Sequence, residues 1–310
     1  MRANLYMQIF EFMKTFLLKI AFLFLGLVII DKGLGLAFNY LRENAKGGAT
    51  RRDNYICNEM TCDLLLLGSS RCEHHYNPLI FEDSLHMDCY NSGQSGNGII
   101  VAYARYMMMC ERKKKAMVIY DITPDFDLLA GFDNHRYLTW LRSYYDKDYV
   151  RDIFASIDPT EKYKMLSQLY CYNSRFIEIL IDYIHPISDP SIKGYVPLLG
   201  EMDKSKINEN EINKHCASYV FDPLKIRYIE KLIDQIGKDN IIFTISPIWY
   251  GIDSESYQPL VDICNEKGVR VLDFANDSKY VHNDIYFKDG KHLNGKGADA
   301  FSQELINYLK

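Results

Sequence analysis

The sequence predicts an α/β fold, a doubly wound and mainly parallel sheet, carried behind an apolar N-terminal helix. Three observations support this. Asp63-Leu64-Leu65-Leu66-Leu67-Gly68 packs four consecutive leucines against a closing glycine, as a strand buried on both faces requires. Similar short apolar runs recur with helix-length patterns between them. The first 38 residues are far more apolar than the remainder of the chain.

From 16 to 30 the chain is apolar except for Lys19, and beyond Asp31 and Lys32 it resumes as 33–38. A membrane helix needs about 20 apolar residues, which this stretch reaches if Lys19 snorkels to the headgroups. No small-residue cleavage site comes after it, so residues 1–38 are expected to be an uncleaved anchor in the lipid bilayer, with a buried helix as the competing reading. Arg2, Lys14 and Lys19 precede the apolar core, while Lys32, Arg42, Lys46, Arg51 and Arg52 come after it. Taken alone, that charge count leans against an exported domain. Residues 39–62 are polar and read as a juxtamembrane linker.

The folded domain is expected over 63–310. Its elements run in order as a strand at 63–68, a helix at 77–85, a strand at 87–91, a helix at 99–110 and a strand at 116–120. Between 126 and 221 the alternation breaks into a tyrosine-rich and charged insertion, expected to be helical and to form either a lid or plain packing. It resumes with a helix from Asp222, whose Leu224, Ile226, Ile229, Leu232, Ile233 and Ile236 fall near helical spacing before Gly237. A strand at 241–245, a helix at 257–267, a strand at 269–274 and a last helix at 296–309 complete the pattern.

Composition narrows the partners. The 310 residues are 48% hydrophobic and 25% charged, which is globular, and the net charge of -5 leaves no excess cation for phosphates, so no nucleic acid is expected. The basic run Arg112-Lys113-Lys114-Lys115 precedes a strand and reads as a solvated turn. Cys57, Cys62, Cys72, Cys89, Cys110, Cys171, Cys216 and Cys264 form no C-x-x-C pair, and neither a metal nor another cofactor is implied. Only Cys57 and Cys62 are close enough in sequence to raise a local disulfide.

Chemistry concentrates in three places. Ser69 and Ser70 directly follow the leucine strand, where the ligand crevice of an open α/β sheet lies; a helix cap is the alternative use of a serine there. Asp289 stands three residues before His292 in a loop leading to the last helix, so the carboxylate can orient the imidazole as general base for a serine. Between them in the chain, Asn91-Ser92-Gly93-Gln94-Ser95-Gly96-Asn97-Gly98 makes a glycine turn before a helix, suited to an oxyanion hole. It lacks the Gly-Lys-Ser/Thr of a P-loop and the position and spacing of a dinucleotide site.

This order of strand-Gly68-Ser69-Ser70, then Asn91-x-Gly93-x-x-Gly96, then Asp289-x-x-His292-Leu293-Asn294 resembles the SGNH (GDSL-like) hydrolase family, over 63–125 and 222–310. The resemblance implies a three-layer, flavodoxin-like fold with Ser70, His292 and Asp289 as catalytic triad. It also implies oxyanion donors at the amides of Ser70 and Gly96. A membrane-anchored branch resembles envelope O-acyltransferases and esterases. Its implied substrate is an O-acetyl or O-acyl ester of a polysaccharide or glycolipid, its implied partner a membrane acyltransferase, and its implied location extracytoplasmic. Where the family has Gly-x-Asn-Asp, this chain has Tyr120-Asp121-Ile122-Thr123-Pro124-Asp125, and Pro124 has no amide to donate. That departure keeps open a weak or inactive scaffold. Asp121, Asn97, His74 and Trp249 are the candidate substrate contacts; Asn97 is alternatively a helix cap, and Trp249 alternatively packs on the sheet. Adjacent His74 and His75 point apart on a helix, which argues against a metal at Glu73-His74-His75.

Overall fold

The computed structural model describes residues 2–113, 116–203, 205 and 218–309; Lys114, Lys115 and Cys216 lie outside the described residues. Five parallel strands in the order β2-β1-β3-β4-β5 make the sheet: β1 (Leu64–Gly68), β2 (Cys89–Asn91), β3 (Met117–Asp121), β4 (Ile241–Ile245) and β5 (Arg270–Asp273). The fold is therefore α/β as expected.

Side chains alternate across a strand, so Leu65 and Leu67 enter one core and Leu64 and Leu66 the other. The first core packs Ile99, Ala102 and Tyr106 with Ile229, Leu232 and Ile233; the second packs Tyr76 and Phe81 with Phe301, Leu305 and Ile306. Helices thus cover both faces of the sheet. In the pairing register Gly68 stands beside Asp121, and Asp121 beside Thr244, so three strand ends meet at one edge.

The elements in chain order begin with α1 (Arg2–Glu43), α2 (Gly48–Asn54), a π-helical turn (Tyr55–Glu59), α3 (Ser70–His75), α4 (Pro78–Leu85) and α5 (Ile99–Cys110). The insertion supplies α6 (Pro124–Asp127), α7 (His135–Leu141), α8 (Asp148–Ile157), α9 (Glu161–Lys164), α10 (Gln168–Tyr172) and α11 (Phe176–Ile184). The return is α12 (Pro223–Ile236), α13 (Gln258–Lys267) and α14 (Gly295–Leu309). α12 shows why these boundaries fall where they do: Asp222 accepts from the Leu224 amide at 2.8 Å, Pro223 takes the first helical position, and Gly237 leaves at φ +87°.

α1 is 42 residues long, about 63 Å at 1.5 Å per residue, and its apolar part has a mean hydropathy of 2.2 with none of it buried. It is long and apolar enough to cross a membrane. The stretch 39–62, expected as a linker, is instead helical and packed. Its polar residues turn inward: Arg42 Nη1 donates to Asn54 Oδ1 at 3.1 Å, and Asp53 pairs with Arg105 at 2.8 Å and Arg175 at 2.9 Å. Ile56, Cys57 and Met60 are buried beneath them. Cys57 and Cys62 are free thiols, not a disulfide.

Candidate active site

Ser70 opens α3 directly after β1, and the turn requires glycine at 68. Gly68 has φ +148°, and a Cβ there would stand 2.7 Å from the Asp121 carbonyl and 2.8 Å from Cys72 Cβ. As the first residue of a helix, Ser70 carries an amide with no intrahelical acceptor. Its Oγ lies 2.9 Å from His292 Nε2, and His292 Nδ1 lies 3.0 Å from each oxygen of Asp289. The structure thus brings the three predicted residues into one hydrogen-bonded chain.

Asp289 also accepts from the amides of Lys291 at 2.8 Å and His292 at 2.9 Å, which wind the loop into a tight turn. Partial desolvation pushes its carboxyl up, but the hydrogen bond and charge of His292 with those two amides outweigh it and hold Asp289 below its ordinary value. It remains a carboxylate suited to accept Nδ1–H and leave Nε2 free for Ser70.

The glycine turn packs over the start of α3. Gln94 N donates to Gly68 O at 3.2 Å, and Ser95 donates its amide and hydroxyl to Glu73 Oε2 at 2.9 and 2.6 Å. Gly96 has φ +75°, and Arg136 Nη2 would be 3.1 Å from a Cβ on it. The Arg136 guanidinium lies over the rings of Phe132 and Phe126, 5.0 and 5.6 Å from their centroids. No pattern in the sequence singles out Arg136, because its neighbours come from separate turns of the chain.

Two of the four candidate substrate contacts are corrected. Asp121 is fully buried: Oδ1 accepts from Tyr76 Oη at 2.8 Å and Ser246 N at 2.9 Å, Oδ2 accepts from Ser246 Oγ at 3.1 Å, and Arg71 Nε lies 3.7 Å away. Burial pushes its carboxyl up, while Arg71, Tyr76 and Ser246 pull it back. Asn97 is buried as well and donates to Gln94 Oε1 at 2.7 Å. Nor does Asn97 cap the next helix, because Asp127 Oδ1 accepts the Ile99 amide at 2.7 Å.

The other two lie near the triad loop. His74 Nδ1 is 2.8 Å from Val196 O, and its ring meets that of His292 edge-on at 5.5 Å. Trp249 donates Nε1 to Asp284 at 2.9 Å and its amide to Gly290 O at 3.0 Å, so it supports the loop that carries Asp289.

Beneath the triad runs a buried relay. Leu293 N donates to His75 Nε2 at 3.0 Å, which leaves the proton on Nδ1, 3.0 Å from Ser246 Oγ, and Ser246 donates on to Asp121. Burial first, then the positive fields of its neighbours, holds His75 well below its ordinary value, so it stays neutral. Asp121 is thereby joined to the residue after His292. These partners lie 125 to 218 residues apart in the chain, and no local spacing announces them.

The third block is built inward too. Pro124 is buried at the first position of α6, and Arg71 donates to Thr123 Oγ1 at 3.3 Å and to the Ile122 carbonyl. Asp127, pushed up to about 7 by burial, accepts from Thr123 N and Tyr120 Oη, each at 2.7 Å. Among the described residues, His135, Asp158 and Glu161 bring three candidate metal-ligand atoms within 4.8 Å of one another. There Lys164 Nζ already stands 2.5 Å from Glu161 and 3.6 Å from Asp158 and supplies the positive charge.

No protein-family model matches the chain, and no curated protein matches it.

Proposed function

We propose that this protein is a membrane-anchored serine esterase or O-acyltransferase of SGNH type, acting on an O-acetyl or O-acyl ester of an envelope polysaccharide or glycolipid. The observation that carries this reading is the chain Ser70, His292, Asp289 at the carboxyl edge of a parallel sheet. Further support comes from the order of the motifs along the chain and from a helix apolar enough to anchor it. On the same resemblance the domain works outside the cytoplasm, with a membrane acyltransferase as acyl supplier.

Ser70 Oγ attacks the ester carbonyl as His292 Nε2 takes its proton, and the amides of Ser70 and Gly96 receive the oxyanion. The carbonyl re-forms, the ester C–O bond breaks, and Nε2 returns the proton to the departing alkoxide. This leaves an acyl group on Ser70. Water or a sugar hydroxyl, deprotonated by His292, attacks that acyl group and frees the serine. Asp289 stabilises the imidazolium at each stage.

One observation favours a second reading, a slow or inactive scaffold that binds glycan. Pro124 has no amide and Asp121 faces the interior, so the third block offers no donor where the family has asparagine. Loss of one such donor costs about 100- to 1,000-fold in turnover. The deciding experiment is labelling of the detergent-solubilised full chain with a fluorophosphonate. Wild type is expected to label and to cleave p-nitrophenyl acetate, and Ser70→Ala to do neither. Folded wild type that does neither, yet binds polysaccharide, overturns the enzyme in favour of the scaffold.

A further inference from the structure

We propose that α10, α11 and the adjoining end of α1 form a lipid-facing platform, with bilayer acyl chains against the outer face of α11 and in the cleft behind it. This rests on the reading of α1 as a membrane anchor and adds a second, separate contact to it.

The first observation is the composition of α11, Phe-Ile-Glu-Ile-Leu-Ile-Asp-Tyr-Ile. Its buried residues are Ile179 and Asp182, while Phe176, Ile177, Leu180, Ile181 and Ile184 are 41% to 59% exposed. A helix on a water-facing surface buries its apolar stripe and exposes its acids; here the aspartate is inside and the isoleucines are outside. The apolar surface continues to Leu166 and Ile187, 71% and 65% exposed. Monomeric soluble domains rarely present such a contiguous patch.

The second observation gives its height. From Tyr6 to Ile30 the helix rises about 37 Å at 1.5 Å per residue, slightly more than the ~30 Å hydrocarbon core, so the end of the span falls at Asp31 and Lys32. These two residues are tied to the start of α10. Asp31 accepts from Ser167 Oγ at 2.6 Å, Gln168 N at 2.8 Å and Leu169 N at 3.0 Å, and Lys32 Nζ donates to Leu166 O at 3.2 Å. Leu166 and Leu169 therefore stand level with the end of the span. Beyond it α1 is apolar again, with Leu34 and Leu36 44% and 73% exposed.

The third observation is the cleft. A cavity of about 740 Å³ opens where Phe38 meets α10 and α11, lined by Leu169, Tyr170, Tyr172 and Phe176 among others. Phe38 stacks on Tyr172 at 5.7 Å and meets Phe176 edge-on at 6.3 Å, which gives the cleft aromatic walls. Its size lies within the ~300–1,000 Å³ of small-molecule sites. Walls of this composition, at this height, suit an acyl chain better than water.

The test places the full-length protein in phosphatidylcholine vesicles with brominated acyl chains and reads quenching of one added tryptophan against the parent chain. Ile181→Trp on α11 and Leu169→Trp in the cleft are expected to lose at least half the fraction lost by Leu23→Trp in the span. Leu199→Trp, at a position 79% exposed, is expected to lose none. Quenching of Leu23→Trp alone overturns the platform and leaves the anchor standing; an unquenched Leu23→Trp overturns both. Blue-shifted but unquenched emission at Ile181→Trp means that protein, a second copy or a partner, covers the face, and also overturns the proposal. Leu180→Trp gives an independent reading of the same face should Ile181→Trp misfold.

Discussion

Asp289 and Asp121 stand at the same end of the molecule, yet 53% of the Asp289 side chain is exposed and none of Asp121 is. Asp289 serves one imidazole and its own tight turn, while Asp121 serves a tyrosine, a serine and an arginine from three different elements. The first loop is built to act on something outside the protein, and the second to hold the protein's own parts in place. Position at a strand end selects residues that matter, but burial decides whether they matter for chemistry or for framework.

Substitutions can separate these two fates. The largest effect is expected for Asp289→Asn, about 10⁴-fold in kcat/KM for an activated ester. Its thermal midpoint should barely move, because the side chain is half exposed. A matching loss of stability would remove the contrast. Asp121→Ala is expected to do the opposite first and cost about 3–5 kcal/mol of stability, since it leaves the Arg71 charge buried and strips acceptors from Tyr76 and Ser246. Denaturant unfolding of the solubilised chain measures it, and a change under 1 kcal/mol would show that the buried carboxylate is dispensable.

Acid sharpens the comparison. The lowered folded value of Asp289 means that its contribution is complete above the ordinary carboxylate range and is lost only as pH falls through that lower value. Between pH 8 and 5 it should not titrate. His75 is held neutral by burial, so below about pH 6.5 the unfolded chain binds a proton that the folded chain does not. Stability is therefore expected to fall as pH drops from 7 to 5, with a shallower fall in His75→Asn; equal slopes would remove His75 from the account. The smallest effect belongs to Trp249→Phe, which loses the hydrogen bond to Asp284 and should cost about 1 kcal/mol with only a few-fold change in activity.

Much of this architecture is legible in the sequence because its signals are local. Four leucines and a glycine announce β1, and Ile241–Ile245 reads as β4 without adjustment. Asp289 and His292 share a single turn, so their pairing is a matter of spacing. The relay from Leu293 through His75 and Ser246 to Asp121 has no such signature, because ordinary residue types meet only after the sheet has assembled. Residues 39–62 mislead for a related reason. Their arginines, aspartate and asparagine suggest solvent, but Arg42, Asp53 and Asn54 spend their polarity on buried partners from 12 to more than 100 residues away. Asn97 beside a helix start suggests a cap, but Asp127, distant in the chain, takes that amide.

α1 enters the domain without a break, its last turns pinned by Asp31, Asn39 and Arg42 to α10, to Tyr172 and to Asn54. A catalytic domain on a slack tether sweeps a volume, whereas one mounted on a stiff post keeps its nucleophile in a thin slab parallel to the post's footing. On such a mount the encounter with substrate becomes a lateral search, and the distance from footing to Ser70 acts as a gauge that admits only esters presented at that depth.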